Sequence, residues 1–521
     1  MKRKRTPQKP VFKEYNQEQP LLLPPSLDEL IPAGHIVRFI NTALNGMKLD
    51  FLLRHYPGGG CSSYHPVMML KVLIYAYTQN IYSSRQIAKA LRENVQFMWI
   101  SGNNRPDFRT INRFRGTVLK ETIETVFSTV LELLLEKGVV RFEEYFVDGT
   151  KIEADAGRYT FVWKKGVEKN RAKLIAKIRD LLIHIDQVND RENRNYGERD
   201  LEELCEDVEI SADEIAAITE KINTELSDIG KAAMAAEIET LEQEHLPRLR
   251  KYEKQLKTCG KRNSYSKTDQ DATFMRMKDD HMRNGQLKPG YNVQIGTENQ
   301  FIMGYSVHQK AGDTTTLIPH LEKLESERGE LPKTIIADAG YGSEENYAYL
   351  EGKNIEGYVK YNYFDQEKKR KYRTDPFRVE NLDYDQTNDW YRCPAGRILR
   401  FRETRQKRTE NGFAQEIRMY VCDDCRWCRY RLACHKSLSN RKIEVNPRLN
   451  AFKAQVRENL SSERGRALRT KRCTEPETVF GDIKQNRRFR RFLLRGLEKV
   501  STEWGLIAVS HNFLKLNRLM A

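Results

Sequence analysis

The sequence predicts an α/β protein: a mixed sheet flanked by helices, with a helical amino-terminal domain, a helical insertion and a small cysteine-rich insertion. Three observations predict it. Apolar runs of strand length recur at 143–150, 290–295, 301–307 and 333–338, with a helical stretch at 315–326 before the last. Strand–strand–helix–strand spacing of this kind suits a mixed sheet with helices on its faces. A charged, heptad-like, glycine-poor tract at 165–260 interrupts the series, and five of the nine cysteines fall between 393 and 434.

A chain of 521 residues is long enough for two to four domains and a large core. Charged residues are 31% and hydrophobic ones 39%, a soluble, globular balance. No apolar run approaches the roughly 18 residues that would span a bilayer. The start, Met1-Lys2-Arg3-Lys4-Arg5, is basic, but Lys9-Pro10-Val11-Phe12-Lys13 is no apolar signal core, so a cytoplasmic protein is expected. A net charge of +16 favours a polyanionic partner. In a reducing compartment the clustered cysteines favour a metal over disulfides. Cys61, Cys205, Cys259 and Cys473 are scattered and read as ordinary thiols.

Residues 1–138 read as a helical DNA-binding domain. The basic, proline-bearing stretch 1–27 is an arm. Apolar spacing is helical at 27–47 and 66–79, and Ser84 opens a further short helix. Helices joined at 80–83 fit a helix-turn-helix and an ordinary hairpin equally well. In Arg105-Pro106-Asp107-Phe108-Arg109-Thr110-Ile111-Asn112-Arg113-Phe114-Arg115, arginines alternate with phenylalanines. That pattern suits backbone phosphates with apolar anchors, so Arg109, Arg113 and Arg115 are candidate DNA contacts. The alternative is a solvated helix face.

Residues 139–164 hold the first part of the sheet core. Glu143 to Thr150 read as a strand ending at Asp148, and 151–163 as a second strand pairing back on it. Asp155 is the rival acid, without a strand-end turn. The tract 165–270 reads as an insertion of long antiparallel helices, a scaffold or a clamp. Residues 271–361 resume the core after a polar run with Lys278, His281 and Arg283. Lys333 to Gly342 form an apolar strand, an aspartate at its end (Asp338) and a glycine turn.

Residues 362–445 carry Cys393, Cys422, Cys425, Cys428 and Cys434; thiolates at tetrahedral reach suit Zn²⁺, and four of the five suffice. Residues 446–521 complete the core. Pro476 suits a first helical turn, and the acids beside it suit the positive end of the helix dipole. At about 3.6 residues per turn, Glu477, Gly481, Lys484 and Arg488 share one stripe, while Val479, Phe480 and Ile483 face a core. Between 464 and 499 stand twelve Lys/Arg against four acids, densest at Arg487-Arg488-Phe489-Arg490-Arg491-Phe492. Beside a helix that offers a carboxylate and a lysine on one stripe, Arg472, Arg487, Arg488, Arg490 and Arg491 are expected to meet phosphates. An amphipathic helix at 498–519 closes the core.

Two strand-end aspartates followed by a helical glutamate make a constellation. Convergent carboxylates with open positions suit Mg²⁺, and two such ions clamp both oxygens of an in-line phosphoryl displacement.

On Asp148-Gly149-Thr150-Lys151-Ile152-Glu153-Ala154, Asp338-Ala339-Gly340-Tyr341, Glu477 through Lys484, Phe492 through Leu497 and Glu503-Trp504, the chain resembles an insertion-sequence DDE transposase with an RNase H-like core. The match is to the group often numbered eleven-eighty-two and covers nearly the whole chain. The resemblance implies a metal triad of Asp148, Asp338 and Glu477, a catalytic Lys484, and two Mg²⁺ ions for which Mn²⁺ can substitute. It implies zinc on Cys393, Cys425, Cys428 and Cys434, double-stranded DNA (element ends and target) as partner, and a homodimer or larger assembly on DNA. Related transposases place a Tyr and an Arg at fixed spacing before the Glu; here Thr470 stands for the Tyr and Arg472 lies one place off. Two rivals remain: an RNase H-like nuclease without strand transfer, and a non-catalytic, zinc-bearing DNA-binding regulator. Three spaced carboxylates favour the enzymes.

Overall fold

The computed structural model describes residues 26–56, 63–196, 211–225, 235–277, 286–409, 411–435 and 437–520. Residues 1–25, the polar run with Lys278, His281 and Arg283, and Cys61 and Cys205 lie outside them.

In chain order the first strands are β1 (Glu144–Glu153), β2 (Phe161–Trp163), β3 (Ser264–Ser266), β4 (Thr273–Arg276), β5 (Leu287–Glu298), β6 (Phe301–His308), β7 (Thr334–Ala337) and β8 (Glu356–Val359). The central sheet runs β4–β5–β1–β7–β8, with β6 also on β5. β5 pairs antiparallel with β1 and β6, whereas β7 lies parallel to both β1 and β8. The sequence dictates this split. Asn299 and Gln300, both at positive φ, make the two-residue turn that an antiparallel β5–β6 hairpin needs. A parallel step needs a crossover, which the helix Glu344–Gly352 supplies between β7 and β8.

The helix Leu497–Met520 organises the core. It packs on β6 and on the helices Val118–Glu136 and Pro66–Thr78. Residues 502–513 are buried on every side, so it is a central helix and not the amphipathic one expected at 498–519. Pro66–Thr78 is buried almost as completely, and one apolar cluster runs from these helices into the sheet.

The expected return strand at 151–163 is corrected. β1 itself continues to Glu153, and β2 pairs with β3 instead. The end of β1 is taken by the basic segment: Glu153 N donates to the Arg490 carbonyl (3.2 Å), and Phe492 N donates to the Glu153 carbonyl (2.9 Å).

The helical insertion includes Lys164–Tyr196, Ala212–Glu225 and Leu246–Cys259, around a small core with Ile178, Leu182, Ile215 and Leu249. The cysteine-rich region is an antiparallel sheet of β9 (Asp383–Asp385), β10 (Trp390–Arg392), β11 (Ile398–Arg408), β12 (Ala414–Cys422) and β13 (Lys442–Val445). Leu399, Tyr420, Ile443 and Val445 give it an apolar core of its own, into which Cys422 and Cys425 are packed.

Tyr145 pins β1 to β5 and β6. Its ring lies over Gly296, where any side-chain carbon would overlap it. Its hydroxyl meets His320 Nε2 at 2.8 Å, and His320 Nδ1 meets Ser306 Oγ at 2.8 Å. Burial pushes the His320 pKa down to about 3, so the ring stays neutral in this chain of polar groups. Gly296→Ala is therefore expected to cost about 3 kcal/mol, since a packed ring cannot retreat. The denaturant midpoint of the variant checks this; an unchanged midpoint would mean that Tyr145 has room to move.

Candidate active site

β1 and β7 run parallel, with Val147 beside Ala337. One step further along both strands sets Asp148 next to Asp338, on backbones about 4.8 Å apart. Asp338 stands at the strand end, as expected, and its Oδ1 accepts from Gly340 N at 2.8 Å. Asp148 does not. It is buried within β1, and the glycine after it, which reads as a turn, is a strand residue paired with Gln294.

The helix Pro476–Gly481 packs on β1 and β5 and presents Glu477 from its first turn. Arg472, one turn before that helix, ties the acids together. Its guanidinium lies 3.2 Å from Glu477 Oε1 and 3.8 Å from Asp338 Oδ2. Glu475, the neighbouring acid, is consumed elsewhere: it is buried and accepts from Gln300 N at 2.7 Å. The buried Tyr341 hydroxyl donates to Gln294 Oε1. Burial raises its pKa far above the usual phenol range; Asp313, Asp148 and Asp338 push the same way and Arg472 opposes them. One phenol thus senses both strand aspartates, Arg472 and a further acid, Asp313. The sequence reading missed Asp313, which lies in a loop with no pattern around it.

The stripe expected along one helix is corrected too. The α-helix ends at Gly481 and continues into a π-turn, Asp482–Asn486, closed by Arg487 N donating to the Asp482 carbonyl at 2.9 Å. The wider turn shifts the phase of the residues behind it. Lys484 is 8% exposed inside it, and Arg488 lies beyond it at positive φ.

The arginines divide. Arg109, Arg113, Arg488, Arg490 and Arg491 are exposed. Arg115 and Arg487, expected at phosphates, are 2% and 4% exposed. Arg115 donates to the Tyr77 hydroxyl, the Tyr82 carbonyl, Ser84 Oγ and Asn112 Oδ1. Arg487 donates to the Tyr77 carbonyl. Their geometry is internal because each guanidinium fills polar space between the amino-terminal helices and the basic segment. Phe489 and Phe492 are buried and hold that segment down. A groove joins it to the helix Phe108–Gly116 and brings Arg85, with Arg495 and Lys499 of the basic segment, beside Arg109 and Arg113. Asp155, the rival acid, sits in that groove, paired with Arg491 (3.2 Å) and Arg495 (2.9 Å), away from Asp338 and Glu477.

In the cysteine-rich sheet, Arg441 N donates to Cys425 Sγ (3.3 Å) and its Nη1 to Cys434 Sγ (3.1 Å). Burial and the adjacent Cys425 push the Cys422 thiol up to about 12, and Cys393 adds to that. Cys422, left outside the expected ligand set, is thus among these thiols. Among the described residues, no group of three or more His, Cys, Asp or Glu side chains is arranged to hold a metal ion. Arg472 is shared by two of the carboxylates, Asp338 and Glu477, and Arg441 by two of the thiols, Cys425 and Cys434.

A helix-flanked mixed sheet with acids gathered at the end of its parallel strand pair is consistent with an RNase H-like α/β fold. Residues 392–517 match the family described as "Transposase DDE domain", a span that includes Glu477 and Lys484, and residues 25–117 match one described as "Transposase domain". Together the matches support an insertion-sequence DDE transposase. No curated protein and no solved structure matches the chain. Among the described residues, no helix is long and apolar enough to cross a membrane.

Proposed function

We propose that this transposase binds the ends of its element, cleaves DNA there with divalent metal, and joins the freed 3′ ends to target DNA, as a homodimer or larger assembly of the eleven-eighty-two group. The observation that carries the reading is the shared guanidinium: Arg472 holds Asp338 and Glu477 within one cation's reach, beside the strand that bears Asp148. Held by Asp148, Asp338 and Glu477, Mg²⁺ or Mn²⁺ would supply positive charge to the attacking and leaving oxygens of an in-line displacement. The chain's own part is to fix those carboxylates on adjacent strands and one helix. Arg472, released from the acids, and Lys484 would position phosphates. No covalent enzyme intermediate is needed.

The test is incubation of the purified chain with DNA carrying the sequences that flank its coding region. Nicks at the ends and joined products are expected with Mg²⁺ and not with chelator. Nicks without joined products would favour the nuclease reading. Binding without cutting would favour the regulator.

The exposed arginines set how DNA is held. Phosphate contacts release condensed counterions, so log affinity should fall linearly with log salt, by about 0.9 per phosphate neutralised. Replacing Arg488 and Arg490 with Ala is expected to weaken binding to all sequences alike and flatten the slope by up to about two units. Fluorescence anisotropy across a salt series measures it; altered sequence preference at unchanged slope would count against this assignment.

Zinc on Cys393, Cys425, Cys428 and Cys434 is proposed separately, supported by the chemistry of the thiols and by the shared Arg441. Metal analysis of reduced protein should then find about one equivalent, released in Cys425→Ser.

A further inference from the structure

Asp313 lies in the loop ahead of the helix Leu317–Arg328, where an aspartate commonly caps the helix. Here it does not: Thr316 is the N-cap, without a side-chain cap bond. Asp313 serves the turn with its backbone carbonyl, which accepts from Thr316 N (3.0 Å) and Thr316 Oγ1 (2.7 Å). Its carboxylate points at the sheet. Oδ1 accepts from Asn292 Nδ2 at 2.8 Å and from Gln294 Nε2 at 3.1 Å, two amides of β5.

Two missing side chains make the room. A side-chain carbon at Gly149 would stand 2.7 Å from Asp313 Oδ1 and would overlap the Gln294 amide. One at Gly340 would stand 3.6 Å from Asp313 Oδ2 and 2.9 Å from Asp338 Oδ1. Gly149 comes directly after Asp148, and Gly340 two residues after Asp338. The carboxylates of Asp313 and Asp338 therefore face each other across Gly340. The loop is stitched to that turn: Thr314 Oγ1 donates to the Gly340 carbonyl (2.7 Å), and Asn346 Nδ2 to the Thr314 carbonyl (2.9 Å).

A purely architectural purpose explains this poorly. A further carboxylate beside two others adds like-charge repulsion, which an amide of the same shape would avoid. Two donors on one oxygen also fix the group's direction, as outer partners of metal ligands commonly do. We propose that Asp313 is a positioning residue of the active site, lodged between the glycines that succeed the two strand aspartates, where it holds the Asp338 turn and raises the affinity of the site for divalent cations. The inference rests on the reading of Asp148, Asp338 and Glu477 as metal ligands.

The test uses the full chain and Mn²⁺ alone, titrated without DNA and monitored by electron paramagnetic resonance, with thermal unfolding in chelator as the control. Asp313→Asn keeps the shape and an oxygen for the two amide donors. It is expected to weaken Mn²⁺ binding about 10- to 100-fold, with a metal-free melting temperature equal to or above that of the parent. Asp313→Glu, which returns the charge, should recover part of the affinity. Parent-like Mn²⁺ binding in Asp313→Asn, with binding lost in Asp148→Ala, would overturn this inference and leave the metal reading standing. A lowered metal-free melting temperature in Asp313→Asn, without recovery in Asp313→Glu, would reduce Asp313 to a stabilising residue and overturn it too. A parent chain that binds no Mn²⁺ would overturn both.

Discussion

Alanine at Asp148, Asp338 or Glu477 is expected to lower strand cleavage by at least about 10³-fold, because each substitution removes charge aimed at the reacting phosphate. DNA affinity should stay within about threefold of the parent, since the exposed cations of the groove lie on other elements. Plasmid nicking and anisotropy, run on the same preparations, separate the two effects. Glu475→Ala is the informative control. Its carboxylate is buried and holds Gln300 N, in the turn of the β5–β6 hairpin. Losing it should cost stability, about 1–3 kcal/mol for an orphaned buried partner, before it costs chemistry. If Glu477→Ala cut DNA normally while Glu475→Ala folded well and did not cut, the helical ligand would have to move by two residues.

The parts of this site that were legible in the sequence are those whose signals are local. An apolar run, an aspartate and a glycine turn mark Asp338 because strand, end and turn lie within ten residues. Glu477 was legible because proline and acids announce a helix start. Asp148 is legible as an acid but not in its place: the sequence ends the strand there, whereas Gly149 continues it and leaves space for Gln294 and Asp313. That space is filled by residues far along the chain, and no local pattern reports it. Asp313 was invisible for the same reason. The π-turn after Gly481 had no signature either, so the stripe was carried through to Arg488 as if one α-helix continued. In the cysteine-rich region the spacing of the thiols was plain, but their burial in an apolar sheet core was not. The buried helix Leu497–Met520 kept a helical pattern, yet its polar residues suggested a solvent face that tertiary partners cover. Asn512, for example, spends its side-chain amide on both backbone groups of Ile302.

Arg115 is where the two views diverge most in measurable terms. The sequence sets it in one run with Arg109 and Arg113, arginines alternating with phenylalanines. Its side chain lies inside, bonded to four groups from three segments. It also faces the buried Glu503, whose carboxylate accepts from Leu493 N (2.9 Å) and Leu494 N (3.0 Å). Burial raises the Glu503 pKa, and the charge on Arg115 opposes that rise. Removing Arg115 would therefore leave a buried carboxylate without its compensating charge and strand the Tyr77 hydroxyl and the Tyr82 carbonyl. Such losses cost about 3–5 kcal/mol. Arg115→Ala is thus expected to shift the denaturant midpoint far down, whereas exposed Arg109→Ala should stay within about 0.5 kcal/mol of the parent. The DNA readout should invert: Arg109→Ala flattens the salt slope by about one unit, and Arg115→Ala leaves the slope of its folded fraction unchanged. Parent-like stability in Arg115→Ala together with a flattened slope would return Arg115 to the DNA-facing row and would mean that its guanidinium leaves the interior when DNA binds.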